Sequence, residues 1–184
     1  MKAILSISLC MVLCSFNSMF AQQSWPKQQL KFGFGSSIYG STELQGKTRY
    51  LEYERQLFSR FSLGLQGDWG NGTHLSATKV EEHLRRLSLN AHLFFAPLRK
   101  SNNQLKLGLG VGYHQNKYSF TSSDGDFEGT LPQNYSLSQR AYSAVVEYEV
   151  FIIRNWSLGS RLNIQQLADG NRIYFWGLNT GIRF

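Results

Sequence analysis

The sequence has little cysteine or proline, and it has no long apolar run beyond its first 21 residues. Of its 184 residues only two are cysteines and three are prolines. Both cysteines, Cys10 and Cys14, lie near the N-terminus, so the remainder of the chain can form no disulfide and no cysteine-based metal site. No stretch after Ala21 approaches the ~20 apolar residues that a membrane-spanning helix needs. These absences exclude a disulfide scaffold and a helical membrane protein.

The N-terminal segment has the composition of a secretory signal peptide. Lys2 is followed by an apolar stretch from residue 3 to residue 13, and small and polar residues lead to Ala21. A basic start, a short apolar centre and a small residue at the exit are the features of such a peptide. We predict cleavage after Ala21, which leaves residues 22–184 as one mature domain.

The chain is basic, with a formal net charge of +7. Removal of Lys2 with the signal peptide leaves 18 Lys and Arg against 12 Asp and Glu, a charge of +6. A basic protein can bind nucleic acid, but an exported one does not meet it. The charge therefore favours contact with acidic lipid head groups or lipopolysaccharide.

Aromatic residues and glycines are abundant, and apolar residues recur with a period of two. Aromatics make up 14% of the chain, and 17 residues are glycine. Alternation of this kind indicates β-strands. We predict eight segments of about ten residues, the length of a tilted membrane-spanning strand. They are residues 30–39, 48–57, 61–69, 86–95, 105–114, 142–152, 156–165 and 174–184.

The two faces of the segments differ sharply. One face is almost entirely hydrocarbon and aromatic, and the other combines glycine and serine with charged and amide side chains. Glycines suit a crowded barrel interior. Aromatic residues lie at both ends of the apolar stripes, where interfacial girdles are expected. They are Phe61, Phe95 and Trp156 at one end, and Trp69, Tyr113, Tyr142 and Tyr174 at the other. A soluble, lipocalin-like barrel with its apolar face inward remains an alternative.

The predicted connections alternate in length. Short turns join segments two to three, four to five and six to seven, whereas residues 70–82 and 115–139 are predicted as long loops. Short turns at one end and long loops at the other are typical of outer-membrane barrels. The short connection at Asp169 and Gly170 departs from this tendency.

The last segment presents an alternating apolar face that ends in an aromatic residue, made of Tyr174, Trp176, Leu178, Ile182 and Phe184. This face resembles the C-terminal signal of bacterial outer-membrane barrels. The whole mature chain is similar in pattern to small eight-stranded barrels of the OmpA, OmpX and OmpW kind. The resemblance implies an all-β, up-and-down transmembrane β-barrel in the outer membrane. It also implies that the barrel-assembly machinery reads the final strand.

Nine charged residues fall on the inward face and are predicted to form a lumenal salt-bridge network. They are Lys31, Glu52, Glu54, Arg86, Lys106, Glu147, Glu149, Arg161 and Arg183. Buried charges are costly unless they are paired. An eight-stranded barrel is only just wide enough to be filled by side chains, so a polar plug is favoured over proton or ion passage.

No catalytic, cofactor-binding or metal-binding constellation is predicted. The sequence lacks a G-x-S-x-G nucleophile elbow, and inward His92 and His114 are interpreted as partners in lumenal hydrogen bonds. The candidates for contact with a surface ligand are the aromatic residues of the loop 115–139, namely Tyr118, Phe120, Phe127 and Tyr135.

The leading hypothesis is a non-enzymatic outer-membrane barrel that serves envelope structure or surface interaction through its extracellular loops. A narrow channel for small solutes and a lipid-modifying enzyme are the alternatives.

Overall fold

The computed structural model is built from eight antiparallel strands. It describes residues 28–40, 44–75, 80–100, 102–122 and 134–184. The predicted signal peptide lies outside this part of the chain. The strands are β1 (Gln28–Tyr39), β2 (Leu44–Gln56), β3 (Phe61–Leu75), β4 (Val80–Arg99), β5 (Asn103–Ser122), β6 (Asn134–Ile153), β7 (Trp156–Leu167) and β8 (Arg172–Arg183). Within the described residues, no helix is long and apolar enough to cross a membrane.

Each strand pairs with its neighbours in the chain, and β8 returns to pair with β1, so the sheet is a closed barrel. The closing register runs from Gln29 opposite Arg183 to Tyr39 opposite Ile173. Closure leaves no unpaired sheet edge, which is what allows a β-structure to reside in lipid. The predicted eight-stranded, up-and-down topology is therefore confirmed.

The distribution of side chains is the reverse of that in a soluble protein. Leu109 on β5 is 73% exposed and Leu89 on β4 is 65% exposed, whereas Lys31, Glu52 and Glu147 on the inner face are fully buried. Leaving so much apolar surface in water would be unfavourable, at roughly 25 cal/mol per Å². The exterior is therefore suited to hydrocarbon, and this result contradicts a soluble barrel with an apolar interior.

Aromatic side chains lie on the exterior towards both ends of the strands. Phe61 and Phe95 are cross-strand partners with ring centroids 5.1 Å apart. Farther along β3, the Trp69 ring lies 6.4 Å from the ring of Phe32 on β1. The predicted girdle residues Tyr113, Tyr142 and Tyr174 are likewise exposed. Aromatic rings at these levels match the two interfaces of a membrane.

The two ends of the barrel are distinct. We call the end that carries Gln28 and Phe184 the terminal end; there β2 is followed by β3, β4 by β5 and β6 by β7. At the opposite end, which we call the loop end, β1 is followed by β2, β3 by β4, β5 by β6 and β7 by β8.

The predicted loops 70–82 and 115–139 were wrong in extent. Strand β3 continues to Leu75 and β4 begins at Val80, and in the same way β5 continues to Ser122 and β6 begins at Asn134. Between the apolar band and the loop end, the outer face of these strands no longer meets lipid hydrocarbon. The alternation of apolar and polar residues therefore fades there, although the backbone pairing continues. The loop candidates Tyr118 and Tyr135 therefore lie on strands.

The turn between β7 and β8 is stabilised locally. Gly170 has a φ of 90°, a conformation that favours glycine. The Asn171 backbone N–H donates to Asp169 Oδ1 at 2.9 Å. Although partial burial raises the pKa of the Asp169 carboxyl, the hydrogen bonds from Asn171 lower it further and leave it below its ordinary value.

Candidate functional site: the lumen

Seven charged side chains meet in the middle of the lumen, and we call them the central network. Each comes from an inward position of its strand, and together they connect β1, β2, β5, β6 and β7 across the barrel. They are Lys31, Glu52, Glu54, Lys106, Glu147, Glu149 and Arg161. The structure thus brings together seven of the nine residues predicted to form a charge network.

Lys31 is the hub of the central network. Its Nζ lies 2.7 Å from Glu52, 2.6 Å from Glu54 and 2.6 Å from Glu147. Glu149 is farther away at 3.7 Å. One ammonium therefore contacts carboxylates from both sides of the lumen, on β2 and on β6. Charge-assisted contacts of this length are among the stronger interactions available to buried side chains.

Arg161 forms the second crossing. Its Nη1 donates to Glu52 Oε2 at 3.0 Å and its Nη2 to Glu52 Oε1 at 2.7 Å, a bidentate pair. It also contacts Glu147, which lies opposite Arg161 in the β6–β7 register. The guanidinium carbon lies 4.6 Å from the centre of the Tyr50 ring. Arg161 thus links β7 to β2 and β6.

Lys106 completes the network towards the terminal end. Its Nζ lies 2.7 Å from Glu54 Oε2 and 3.0 Å from Glu149 Oε2. Neutral neighbours satisfy the remaining oxygens: Ser62 donates to Glu54 at 2.5 Å, and Gln29 donates to Glu149 at 3.2 Å. The carboxylates are therefore both paired and hydrogen-bonded, which is the condition for burying charge at tolerable cost.

Phe94 lies among the cations and was missed in the sequence analysis. Its ring centre is 5.3 Å from Lys31 Nζ, 5.9 Å from Lys106 Nζ and 5.6 Å from the Arg161 guanidinium carbon. The ring fits because Gly64 and Gly108 flank it, and a Cβ on either would come within 3.0 Å of it. Phe94 occupies an inward position next to outward Phe95, so the alternation could have revealed it.

Asp68 forms a separate polar cluster on β3 that the sequence analysis also did not single out. Ser88 donates to Asp68 at 2.7 Å and Asn90 at 2.6 Å, and Gln66 contacts the same carboxylate. His114 lies 3.3 Å from Asn90 through its Nε2. The cluster is an extension of the polar filling rather than part of the central network.

The other two predicted network residues lie outside it. Arg86 donates to Gln165 at 3.1 Å and to Thr48 at 3.3 Å. The Arg183 guanidinium carbon lies 3.6 Å from the centre of the Phe151 ring. The buried side chains of the described residues nevertheless balance. Five carboxylates (Glu52, Glu54, Asp68, Glu147 and Glu149) face five cations (Lys31, Arg86, Lys106, Arg161 and Arg183).

The acidic cluster resembles a metal site only superficially. Oxygens of Glu52, Glu54 and Glu147 lie within 4.8 Å of one another. However, the Lys31 ammonium lies within 2.7 Å of all three carboxylates. The position that a metal cation would take is therefore occupied by a side chain of the protein.

The lumen changes character towards its two ends. At the loop end, six buried hydrophobic residues form a cluster, which we call the apolar cup: Tyr39, Leu44, Leu84, Ala141, Leu167 and Ile173. A cavity of about 130 Å³ opens beside it. At the terminal end, a cavity of about 30 Å³ is lined by polar residues that include Glu54, Lys106 and Arg183.

Two of the four predicted ligand-contact residues can be placed in full. Tyr118 and Tyr135 are cross-strand partners on β5 and β6, and their rings stack with centroids 4.6 Å apart. Phe120 lies on β5, and Phe127 lies outside the described residues. The five residues of the predicted assembly signal share the outward face at the end of the chain.

Among the side chains that the structure describes, the charges outside the lumen are almost all positive. Of the carboxylate side chains that the structure describes, Asp169 alone is exposed. The exposed cations form groups at both ends of the barrel. They are Lys47, Arg49, Arg85, Lys117, Arg140 and Arg172 at the loop end, and Arg55, Arg60, Lys100 and Arg154 at the terminal end.

A closed antiparallel barrel with a hydrocarbon-facing exterior, aromatic rings at both interfaces and a polar interior defines an outer-membrane β-barrel protein. The protein is therefore assigned to the outer membrane.

Comparison with solved structures supports the same class. The chain is similar to Ail, the attachment invasion locus protein of Yersinia pestis, with 16% identity and a TM-score of 0.58 over 87% of this chain and 99% of that one. Neisserial surface protein A matches with 9% identity and a TM-score of 0.64, covering 85% and 97%. The outer membrane protein OprG from Pseudomonas aeruginosa matches with 10% identity and a TM-score of 0.59, covering 87% and 96%. No protein-family model and no curated protein matches the sequence.

Proposed function

We propose that the protein is a non-enzymatic outer-membrane barrel with a plugged lumen, which acts through the surface of its loop end. The observation that carries the proposal is the central network. Lys31 and Arg161 connect carboxylates on β2 and β6, and both cations are buried at the middle of the barrel. A solute would have to break several of these buried pairs to pass, and each disruption is costly.

Planar bilayer recording tests the plug against the alternative of a narrow channel. We expect the reconstituted wild-type barrel to show no stable conductance. An Arg161→Ser and Phe94→Ala double variant, which removes one crossing and the central ring, should conduct if it still folds. Stable, reproducible conductance steps from the wild-type protein would contradict the plugged lumen.

The loop end is proposed to face the cell exterior and to contact lipopolysaccharide. Outer-membrane barrels have short periplasmic turns and longer extracellular loops. The longest separation between two consecutive strands here, from Ser122 of β5 to Asn134 of β6, starts and ends at the loop end. Lys47, Asn71, Arg85 and Lys117 lie side by side in the registers of β2 to β5. The three cations of this row are exposed just beyond the aromatic residues, where lipid phosphates lie.

Binding of lipopolysaccharide to the barrel in phospholipid nanodiscs tests this surface. The triple variant Lys47→Gln, Arg85→Gln, Lys117→Gln should bind it several-fold more weakly than the wild type. The matched control replaces Arg55, Arg60 and Lys100 at the terminal end by Gln and should leave binding unchanged. If both variants lost affinity equally, binding would depend only on the net charge of the protein. That result would contradict a binding site at this row of cations.

A surface ligand is proposed for the same end, through Tyr118, Phe120, Phe127 and Tyr135. One of the similar structures is Ail in complex with the heparin analogue sucrose octasulfate. In this chain, the stacked pair of Tyr118 and Tyr135 supplies an aromatic surface beside cationic Lys117. The test is binding of sucrose octasulfate, which should weaken in the Tyr118→Ser and Tyr135→Ser variants. Unchanged binding in both variants would exclude the stacked pair as part of the ligand site.

The final strand is proposed as the signal for the barrel-assembly machinery. Phe184→Ser should reduce the amount of protein inserted in cells but leave refolding of purified protein into vesicles unchanged. If both fell together, Phe184 would be a stability residue.

The alternative of a lipid-modifying enzyme finds no support in the hydrogen bonds around the inward histidines. Ser88 donates to Asp68 rather than to His114, and His114 approaches Asn90. A nucleophile activated by a base requires the two to be hydrogen-bonded. We expect the mass spectrum of lipid A to be the same in cells with and without the protein. A new lipid A species dependent on the protein would overturn this proposal.

A further inference from the structure

The apolar cup is unusual within an otherwise polar lumen. Leu44, Leu84 and Ile173 point inward from three different strands and are at most 2% exposed. The buried layer at the middle of the barrel, in contrast, is built from charged and amide side chains around the Phe94 ring. The strands would pair equally well with polar residues here, so pairing does not require the apolar character of this layer.

The cavity beside the cup has the size of a small ring. Its volume is about 130 Å³, and its walls include Tyr39, Leu84, Tyr118, Leu167 and Ile173. An apolar cavity of roughly 150 Å³ can hold one benzene molecule. Binding pockets for small molecules are largely apolar and have a few fixed polar groups.

Two amide side chains line the cavity, Asn116 and Asn171, and Asn116 supplies the buried acceptor without a partner. It lines the cavity and is 1% exposed, and its Oδ1 has no hydrogen-bond partner among the described residues. A buried acceptor without a partner is costly, and its presence in a native site calls for an explanation. A ligand that donates a hydrogen bond would satisfy it.

We propose that the loop end of the lumen is a binding site for a small ring compound that carries one hydroxyl or N–H donor. The ring packs on Leu84, Leu167 and Ile173, and the donor group binds Asn116 Oδ1. The site lies beyond the central network, so it does not require a solute to cross the barrel. If this site proved wrong, the proposal of a plugged lumen would still stand. If the wild-type barrel conducted ions, the proposal of this site would still stand.

Phenol and toluene provide matched probes, because they have nearly the same shape and only phenol donates a hydrogen bond. The readout is the methyl NMR spectrum of the full barrel in nanodiscs, titrated with each compound. The methyl groups of Leu84, Leu167 and Ile173 report on the cavity. Those of Leu89 and Leu109 on the exterior report on partition into lipid.

We expect phenol to shift the cavity methyls saturably and to bind about tenfold more tightly than toluene, the effect of satisfying one buried acceptor. Asn116→Leu should abolish this preference and leave toluene binding intact. Equal affinity of the wild type for both compounds would overturn the proposal, whether or not the variant folds. Shifts confined to the exterior methyls would also overturn it.

Discussion

At the level of single residues, Lys31 contacts more buried carboxylates than any other side chain described. Its ammonium lies within 2.7 Å of three carboxylates and is fully buried with them. Pairs of this kind are weak evidence for net stability, because desolvation offsets much of the Coulomb attraction. Loss of one partner is a different matter, since it leaves the opposite charges buried and uncompensated.

Lys31→Met should therefore destabilise the barrel by about 3–5 kcal/mol. The measurement is urea-induced unfolding of protein refolded into lipid vesicles. Lys47→Met is the control, because Lys47 is exposed and such changes cost within about 0.5 kcal/mol. Adding Glu147→Gln to Lys31→Met should recover part of the loss, since it removes one excess negative charge. A double variant as unstable as the sum of the two single changes would contradict a shared network.

A second residue-level prediction concerns the closing seam between β1 and β8. A Cβ at Gly35 would lie 2.1 Å from the backbone oxygen of Trp176 and 2.5 Å from the Cα of Gly177. Backbone atoms cannot move aside as a flexible side chain can. Gly67 on β3, in contrast, has no atom within 4 Å of the added carbon.

Gly35→Ala should cost about 1–3 kcal/mol, the usual penalty for overpacking. Gly67→Ala should be neutral or slightly stabilising, because it restricts the unfolded chain. Both values come from the same unfolding assay in vesicles. Equal changes in the free energy of unfolding at the two positions would show that the close approach of the β8 backbone to Gly35 does not affect stability.

At the level of strands, the existence and the facing of all eight could be predicted, whereas the bounds of four could not. Alternation is strong wherever one face meets hydrocarbon, as at Leu105, Leu107 and Leu109 on β5. It fades at Lys117 and Ser119 on the same strand, because the outer face there no longer meets lipid hydrocarbon. The parts of β3 to β6 that lie nearest the loop end were therefore predicted as loops.

The candidate site shows the same limit. Alternation assigned the charged residues to the lumen. It could not show that Lys31 would reach β6, because β1 and β6 are not neighbours in the sheet. Contacts across a lumen depend on the closure and tilt of the barrel and on side-chain length. For the same reason, Arg86 and Arg183 could not be separated from the central network.

The strand-level prediction tests which face meets lipid. Leu109 and Gln115 occupy outward positions of β5, one in the apolar band and the other beyond Tyr113. Leu109→Arg should cost about 2–4 kcal/mol in vesicles, the price of a cation near the bilayer centre, and Gln115→Arg about 0–1 kcal/mol. Unfolding in urea measures both. A soluble barrel would tolerate both changes alike, so equal small effects would contradict the transmembrane assignment.

At the level of the whole molecule, charge is sorted by location. Among the described residues, five buried carboxylates balance five buried cations, and every exposed charged side chain except Asp169 is a cation. These buried side chains therefore carry no net charge that would favour ions of one sign, as the charged rings of a selective pore do. The excess positive charge is available at the membrane surfaces, where acidic lipids lie. This distribution supports the proposal that the lumen is closed and that the loop end is the surface for interaction.

Closure is the property of the whole molecule that is most directly testable. The β1–β8 seam pairs residues from Gln29 to Tyr39 with residues from Arg183 to Ile173. A closed barrel should resist detergent until it is heated, because no edge is available for local unpairing. We expect the protein in the outer-membrane fraction of cells, with an electrophoretic mobility that changes on boiling.

Leu178→Pro tests whether the seam is responsible for that resistance. Leu178 lies opposite Phe34 in the seam and is paired on its other side with Ser160 of β7. Proline there removes a ladder hydrogen bond and should abolish the mobility shift. Leu178→Ala keeps the backbone donor and removes only part of a lipid-facing side chain, so it should retain the shift. Loss of the shift in both variants would mean that the Leu178 side chain holds the seam. A shift retained in both would mean that detergent resistance does not depend on pairing at this position.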